Sequence, residues 1–202
     1  MKFVLATHNR GKLAEMQAIL GALGIEVVLP DDVGLALDVE ETGTTFLANA
    51  AIKAQAMMEA SGLPAIADDS GLCVDALGGA PGVYSARYGG LHSDRERLEF
   101  LLKNLKDRMD RTAHFHCAVV CAFPAGETVS AEGDCFGTIT RAPQGESGFG
   151  YDPVFFVPEL GKTFAQLTPE EKNKISHRGN ALRLFAAQLK DYLEKRNDGT
   201  DK

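Results

Sequence analysis

The first third of the chain alternates between two hydrophobic periods, and this alternation restricts the fold more than any other feature. Phe3-Val4-Leu5-Ala6 is a short apolar run of strand type. A polar loop, Thr7-His8-Asn9-Arg10-Gly11-Lys12, separates it from Leu13, Met16, Leu20 and Leu23, which recur at helical spacing. Ile25-Glu26-Val27-Val28-Leu29 returns to the strand pattern. A second helix is expected from Phe46 to Ala60, with Leu47, Ala51, Ala54 and Met58 as its apolar stripe and Asn49 and Lys53 one turn apart on another face. Ala65-Ile66-Ala67 reads as a third strand. An order of strand, helix, strand, helix, strand predicts an α/β fold with helices covering a central sheet.

Beyond this point the pattern changes. Gly78-Gly79-Ala80-Pro81-Gly82 is a tight loop, and Ser93 to Leu105 is a helix with Ser93 as N-cap and Glu96 three residues on. Residues 113–123 and 127–140 form two long strands joined as a hairpin at Pro124-Ala125-Gly126. Leu182, Phe185, Leu189 and Tyr192 mark an amphipathic helix from Gly179 to Lys195. No repeat or linker divides the 202 residues, so one domain is expected across 1–202.

Bulk properties remove several function classes. A net charge of −7 argues against general nucleic-acid binding, which needs a broad basic field. No apolar stretch reaches membrane-spanning length, and the N-terminus lacks a signal-peptide pattern. Cys73, Cys117, Cys121 and Cys135 form no CxxC pair and have no His at zinc spacing, which predicts free thiols and a reducing, cytoplasmic setting.

Asp68-Asp69-Ser70-Gly71 is an unusual way to end a buried strand. Two carboxylates there suit a hard cation or a proton, and an Asx-turn with one solvated Asp accounts for the same residues. The Thr7–Lys12 loop lies where α/β proteins bind phosphate, between a strand end and a helix N-terminus. It lacks Walker A spacing and reads equally well as a capped turn. Asp38, Glu40 and Glu41 are candidates to join Asp69 around Mg²⁺, against the alternative of a solvated acidic loop. The Gly145–Pro153 stretch sets three glycines around Phe149 and Tyr151, either to approach a flat ligand or as a loop with buried aromatics. Lys172, Lys174, His177 and Arg178 form a basic set that an ion-paired helix face also explains. Ser176-His177 has no nucleophile elbow, and His114 and His116 read as structural.

Taken together, these segments carry a resemblance. Thr7-x-Asn9-x-x-Lys12, Ala67-Asp68-Asp69-Ser70-Gly71-Leu72, Ala76-Leu77-Gly78-Gly79-Ala80-Pro81-Gly82, Phe149-Gly150-Tyr151-Asp152-Pro153 and Glu171-Lys172-Asn173-x-x-Ser176-His177-Arg178 stand in the order of the inosine triphosphate pyrophosphatase family. The chain resembles that family from Phe3 to Phe185. The resemblance implies a central mixed, elongated β-sheet flanked by helices, in two lobes with the active site in the cleft between them. It also implies a homodimeric, Mg²⁺-dependent enzyme that converts ITP, dITP and XTP to monophosphates and pyrophosphate.

By the same resemblance, Thr7, Asn9 and Lys12 hold the phosphates, with His8, Arg10 and Gly11 in the same loop. Glu41 and Asp69 match metal-binding positions, and Asp69 also matches the proton acceptor. Lys53 and Ser70 contact substrate; Phe149, Gly150, Tyr151 and Asp152 match the base-side loop; Lys172, His177 and Arg178 match the remaining contacts. The family loop often has Gly where this chain has His8. Two other readings stand beside this one: a pyrophosphatase for modified or pyrimidine nucleotides, and a non-catalytic nucleotide-binding module.

Overall fold

Two short strands, the start of a longer one and two helices organise the N-terminal third. The structure, a computed structural model, describes residues 1–199. Strand β1 (Lys2–Leu5) pairs in parallel with β2 (Glu26–Val28) on one side and with β3 (Ala65–Val74) on the other. Helix α1 (Arg10–Leu20) connects β1 to β2, and α2 (Phe46–Ser61) precedes β3. The full sheet has seven strands in the order β2-β1-β3-β4-β5-β6-β7, with β4 Thr112–Ala122, β5 Thr128–Ile139, β6 Phe155–Val157 and β7 Lys162–Thr163. The β5–β6 and β6–β7 pairs are antiparallel, so the sheet is mixed, as expected.

The chain divides into two compact units. One comprises Met1–Asp69, Cys117–Gly133 and the chain from Ala181 on; the other comprises Ser70–His116 and Asp134–Asn180. The core of the first brings together Phe3, Leu5 and Ile66 with Met16 and Leu20 of α1, and with Leu182, Phe185 and Leu189 of α5 (His177–Gly199). Cys117 and Cys121 join it from one face of β4, as free thiols. The core of the second includes a cluster of packed aromatic rings. Phe115 lies edge-on to Phe155 at 4.7 Å between ring centres and stacks on Phe164 at 5.6 Å. Leu98 and Leu101 of α3 (Asp94–Asn104) pack into the same cluster.

Several elements differ from expectation, each for a physical reason. Strand β3 does not stop at Ala67 but runs through the carboxylate pair to Val74, because Leu72 and Val74 return the chain to a buried face. Helix α1 begins at Arg10, since Asn9 Oδ1 accepts hydrogen bonds from the Gly11 and Lys12 amides and caps it. Arg10, Gly11 and Lys12 are therefore in the first helical turn. The buried stripe of α2 is Phe46, Ala50, Ala54, Met57 and Met58, with Leu47 and Ala51 only half-buried. The last helix starts two residues early, because Ser176 Oγ accepts from the Gly179 amide as an N-terminal cap. The hairpin between β4 and β5 closes as expected, with the Phe123 amide donating to the Glu127 carbonyl.

Candidate active site

With strand order 2-1-3, the chain steps from β1 to β2 on one side and then crosses back to β3 on the other side of β1. Such a switch point, beyond the carboxyl end of β1 and beside the stretch of β3 that continues past its pairing with β1, is where open α/β sheets take ligands. Register fixes what lies there. Leu5 is opposite Ile66, so the Thr7–Asn9 loop and the Asp68-Asp69 pair both follow directly on the last paired residues.

Adjacent residues on a strand point to opposite faces. Asp68 goes to the α1 face, where both its oxygens accept from Lys12 Nζ at 2.8 and 2.9 Å. Its side chain is only 3% exposed, and that of Lys12 is 23% exposed. Asp69 goes to the α2 face, where its Oδ2 accepts from Asn49 Nδ2 at 3.0 Å. Lys53, one turn further along α2, places Nζ 2.7 Å from Glu41 Oε1, 3.8 Å from Asp69 Oδ1 and 2.8 Å from the Asp68 carbonyl. The two adjacent carboxylates therefore have separate neighbours. Asp68 anchors Lys12, and Asp69 joins Glu41 around the Lys53 ammonium.

Glu41 and Asp69 converge on one positive charge through hard oxygen donors, which is the donor chemistry a magnesium ion requires. Among the described residues no group of three or more His, Cys, Asp or Glu side chains gathers in a metal-binding arrangement. Magnesium commonly takes one or two protein carboxylates and completes its shell with phosphate oxygens and water, and Glu41 and Asp69 are the pair that could supply them. In the loop, Thr7 Oγ1 accepts from the Asn9 amide at 3.2 Å. His8 and Arg10 are exposed, with His8 Nδ1 3.9 Å from Asp31 Oδ1.

The second unit holds the other set. Asp152 is buried, and its Oδ2 accepts from Lys172 Nζ at 2.6 Å and from the Phe149 amide at 3.0 Å. Gly148 has φ +81°, and a Cβ there would run into the Asp152 carboxylate, so this position needs glycine twice over. Gly150 donates its amide to Asp94 Oδ2 at 2.8 Å, which pins the loop to the start of α3. The two aromatic rings part company. Phe149 is 64% exposed beneath the Lys172 ammonium, 5.0 Å from ring centre to Nζ, whereas Tyr151 is 4% exposed and donates its hydroxyl to the Ser85 carbonyl. Burial pushes that hydroxyl well above the ordinary phenol range.

Lys172 lies on α4 (Pro169–Ile175), and His177 opens α5 with its ring stacked on Phe115 at 4.7 Å. Arg178 Nη2 reaches Ser70 Oγ at 3.5 Å, the long limit of a hydrogen bond. His116 Nδ1 meets Asp134 Oδ1 at 2.7 Å, and the His114 ring lies beside Phe136.

Sequence reasoning missed Asn49, Asp94 and Ser85. The signal for Asn49 was present as a polar pair, Asn49 and Lys53, four residues apart on one face of α2. Asp94 and Ser85 gave no local signal, because their partners Gly150 and Tyr151 are 56 and 66 residues away.

A parallel β-α-β-α-β core with two lysines and paired carboxylates at its switch point defines an α/β protein built to receive an anionic ligand. The chain belongs to the Ham1 family, whose sequence profile matches residues 3–188. It is similar to the dITP/XTP pyrophosphatase of Halalkalibacterium halodurans, with 50% identity over 96% of this chain and 99% of that protein. The dITP/XTP pyrophosphatase of Shigella flexneri is 51% identical over 94% of this chain and 98% of its own length. Among solved structures, a HAM1 protein from Coxiella burnetii superimposes with a TM-score of 0.90 at 44% identity, covering 95% of this chain and 99% of that one.

Proposed function

We propose that this protein hydrolyses the non-standard purine nucleoside triphosphates ITP, dITP and XTP to the monophosphate and pyrophosphate. The convergence of Glu41, Asp69 and Lys53 at the β1–β3 switch point carries this reading. The dITP/XTP pyrophosphatase names of its relatives support the substrate class. Glu41 and Asp69 would hold Mg²⁺, which when bound supplies positive charge to the phosphate oxygens.

The protein's own residues account for the rest of the chemistry. Phosphoryl chemistry asks chiefly for positioning and charge neutralisation. The positive end of the α1 dipole, the Thr7–Asn9 loop and Lys12 receive the phosphates, and Lys12 is held in place for this by Asp68. A water oxygen forms a bond to the α-phosphorus while the bond from that phosphorus to the bridging oxygen breaks. Asp69 orients that water and takes its proton, and Lys12 and Lys53 offset the charge that grows on departing pyrophosphate. In the second unit, Phe149 offers an exposed ring face for stacking on the base. Arg178 and His177 are the donors proposed for the C6 oxygen of hypoxanthine or xanthine, an atom that adenine replaces with an amino group. Ser70 contacts the substrate beside Asp69. Tyr151, Gly150, Asp152 and Lys172 shape the loop that presents Phe149.

The two compact units are proposed to work as one pyrophosphatase domain, in a cytoplasmic homodimer. The net charge of −7 supports a small-molecule partner over nucleic acid. Among the described residues no helix is long and apolar enough to cross a membrane. Pyrophosphate release from ITP, XTP, GTP and ATP in the presence of Mg²⁺ tests the reading. Strong preference for ITP and XTP is expected; equal turnover of ATP and ITP would overturn the donor account, and no release at all would overturn the enzyme.

A further inference from the structure

Asn49 is fully buried on α2, and both ends of its amide reach groups that matter to the reaction. Oδ1 accepts from the Gly43 amide at 2.8 Å, and Nδ2 donates to Asp69 Oδ2 at 3.0 Å. The amide cannot be turned over, because the Gly43 N–H requires an oxygen opposite it and the Asp69 carboxylate requires a donor. Gly43 lies two residues beyond Glu41, at the end of a stretch, 35–43, that forms no helix or strand. A Cβ at Gly43 would come within 2.7 Å of Asn49 Oδ1 and 2.9 Å of Ala48 Cβ, so the backbone approaches α2 more closely than a side chain permits.

We propose that Asn49 is a positioning residue for the hydrolytic reaction, holding the Asp69 carboxylate through Nδ2 and the Glu41 segment through Oδ1. The role rests on the pyrophosphatase reading. A carboxylate torsion is broad and two-fold, so a hydrogen bond to one oxygen decides where the other points. Here Oδ2 is tied to Asn49, and Oδ1 is directed to the side of Lys53, one helical turn away. Helix α2 is itself well fixed, capped by Thr45 at its start and by Gly62 in the left-handed conformation at its end. One rigid element thus sets both acids, Glu41 through Lys53 and Gly43, and Asp69 through Asn49.

The test combines steady-state release of pyrophosphate from ITP with melting of the unliganded protein. Asn49→Asp keeps the acceptor for Gly43 but sets oxygen against oxygen at Asp69. Its kcat is expected to fall about 100-fold, with KM changing less than about 3-fold, as suits a misplaced reacting group. Gly43→Ala, which keeps Asn49 and Asp69 but displaces the Glu41 segment, should lower kcat about 10-fold. The exchange N49D/D69N re-forms the hydrogen bond with donor and acceptor swapped. It should melt above the temperature that the two single changes predict by addition, while staying inactive.

A wild-type kcat in Asn49→Asp, a loss confined to KM, or additive melting in the double variant would each overturn the proposal. Should Asn49→Asp not fold, Gly43→Ala decides, and an unchanged kcat there overturns it. A wild-type protein that releases no pyrophosphate would overturn the pyrophosphatase reading, and the positioning role with it.

Discussion

Replacing Lys12 with Met would remove the ammonium to which both oxygens of the interior Asp68 carboxylate accept. Asp68 is 3% exposed at the side chain, so water cannot take over the role of the ammonium. Removing one partner of a buried pair costs roughly 3–5 kcal/mol, because the other charge stays desolvated. Lys12 itself is 23% exposed, which places the expected loss at the lower end, about 3 kcal/mol. For a protein of this size that corresponds to a fall in melting temperature of about 6–12 °C. Unfolding in urea and thermal melting without substrate measure it.

The control is the double variant K12M/D68L, which replaces the pair by apolar groups and should lie within about 1 kcal/mol of wild type. Activity should be low in both variants, since neither keeps the lysine that neutralises phosphate charge. Stability and activity therefore separate. A loss below about 1 kcal/mol in Lys12→Met would refute the reasoning, because it would show that Asp68 is solvated. So would a double variant as unstable as the single one.

Other outcomes follow from the same geometry. Asp69→Asn should leave the melting temperature within a few degrees of wild type and lower kcat about 10²–10⁴-fold, the range for loss of a general base; near-wild-type turnover would remove Asp69 from the mechanism. Phe149→Ala should raise KM for ITP about 10-fold or more, since a stacked base contributes about 1–3 kcal/mol, with little change in stability because the ring is exposed. The alkaline limb of stability should be steep. Burial, with Glu159 and Asp134 nearby, pushes the Cys135 thiol from 9.0 up to about 11. The folded thiol therefore stays protonated while the unfolded one ionises. Its contribution is intact below about pH 9 and is lost as pH rises to about 11, by up to about 1.4 kcal/mol per pH unit. Urea unfolding at pH 8 and pH 10.5 checks this, and stability that rises over that range would contradict the burial of Cys135.

Legibility from sequence tracked the distance over which each interaction acts. The alternation of strand and helix, the Ser93 cap with Glu96 and the turn at Gly126 all depend on residues within a few positions, and all stand where expected. The extent of β3 was not legible. Two carboxylates interrupt its apolar pattern, and only Leu72 and Val74 beyond them show that the strand continues into a second core. The stripe of α2 was right at Ala54 and Met58 and one residue late at Leu47 and Ala51, because small and apolar residues recur so densely there that neighbouring faces look alike.

The residue types needed for phosphate chemistry, their order along the chain and the α/β class were settled by local pattern and by resemblance to one family. Their side-chain partners were not. Asp68 and Asp69 are chemically identical, and their separate contacts arise because strand geometry sends one to Lys12 on α1 and the other to Asn49 and Lys53 on α2. Phe149 and Tyr151 are likewise similar in composition, yet one ring faces solvent and the other is held by a carbonyl 66 residues away. Pairings of this kind span long stretches of chain, and no local rule encodes them. They exist only once the sheet has brought its strands into register.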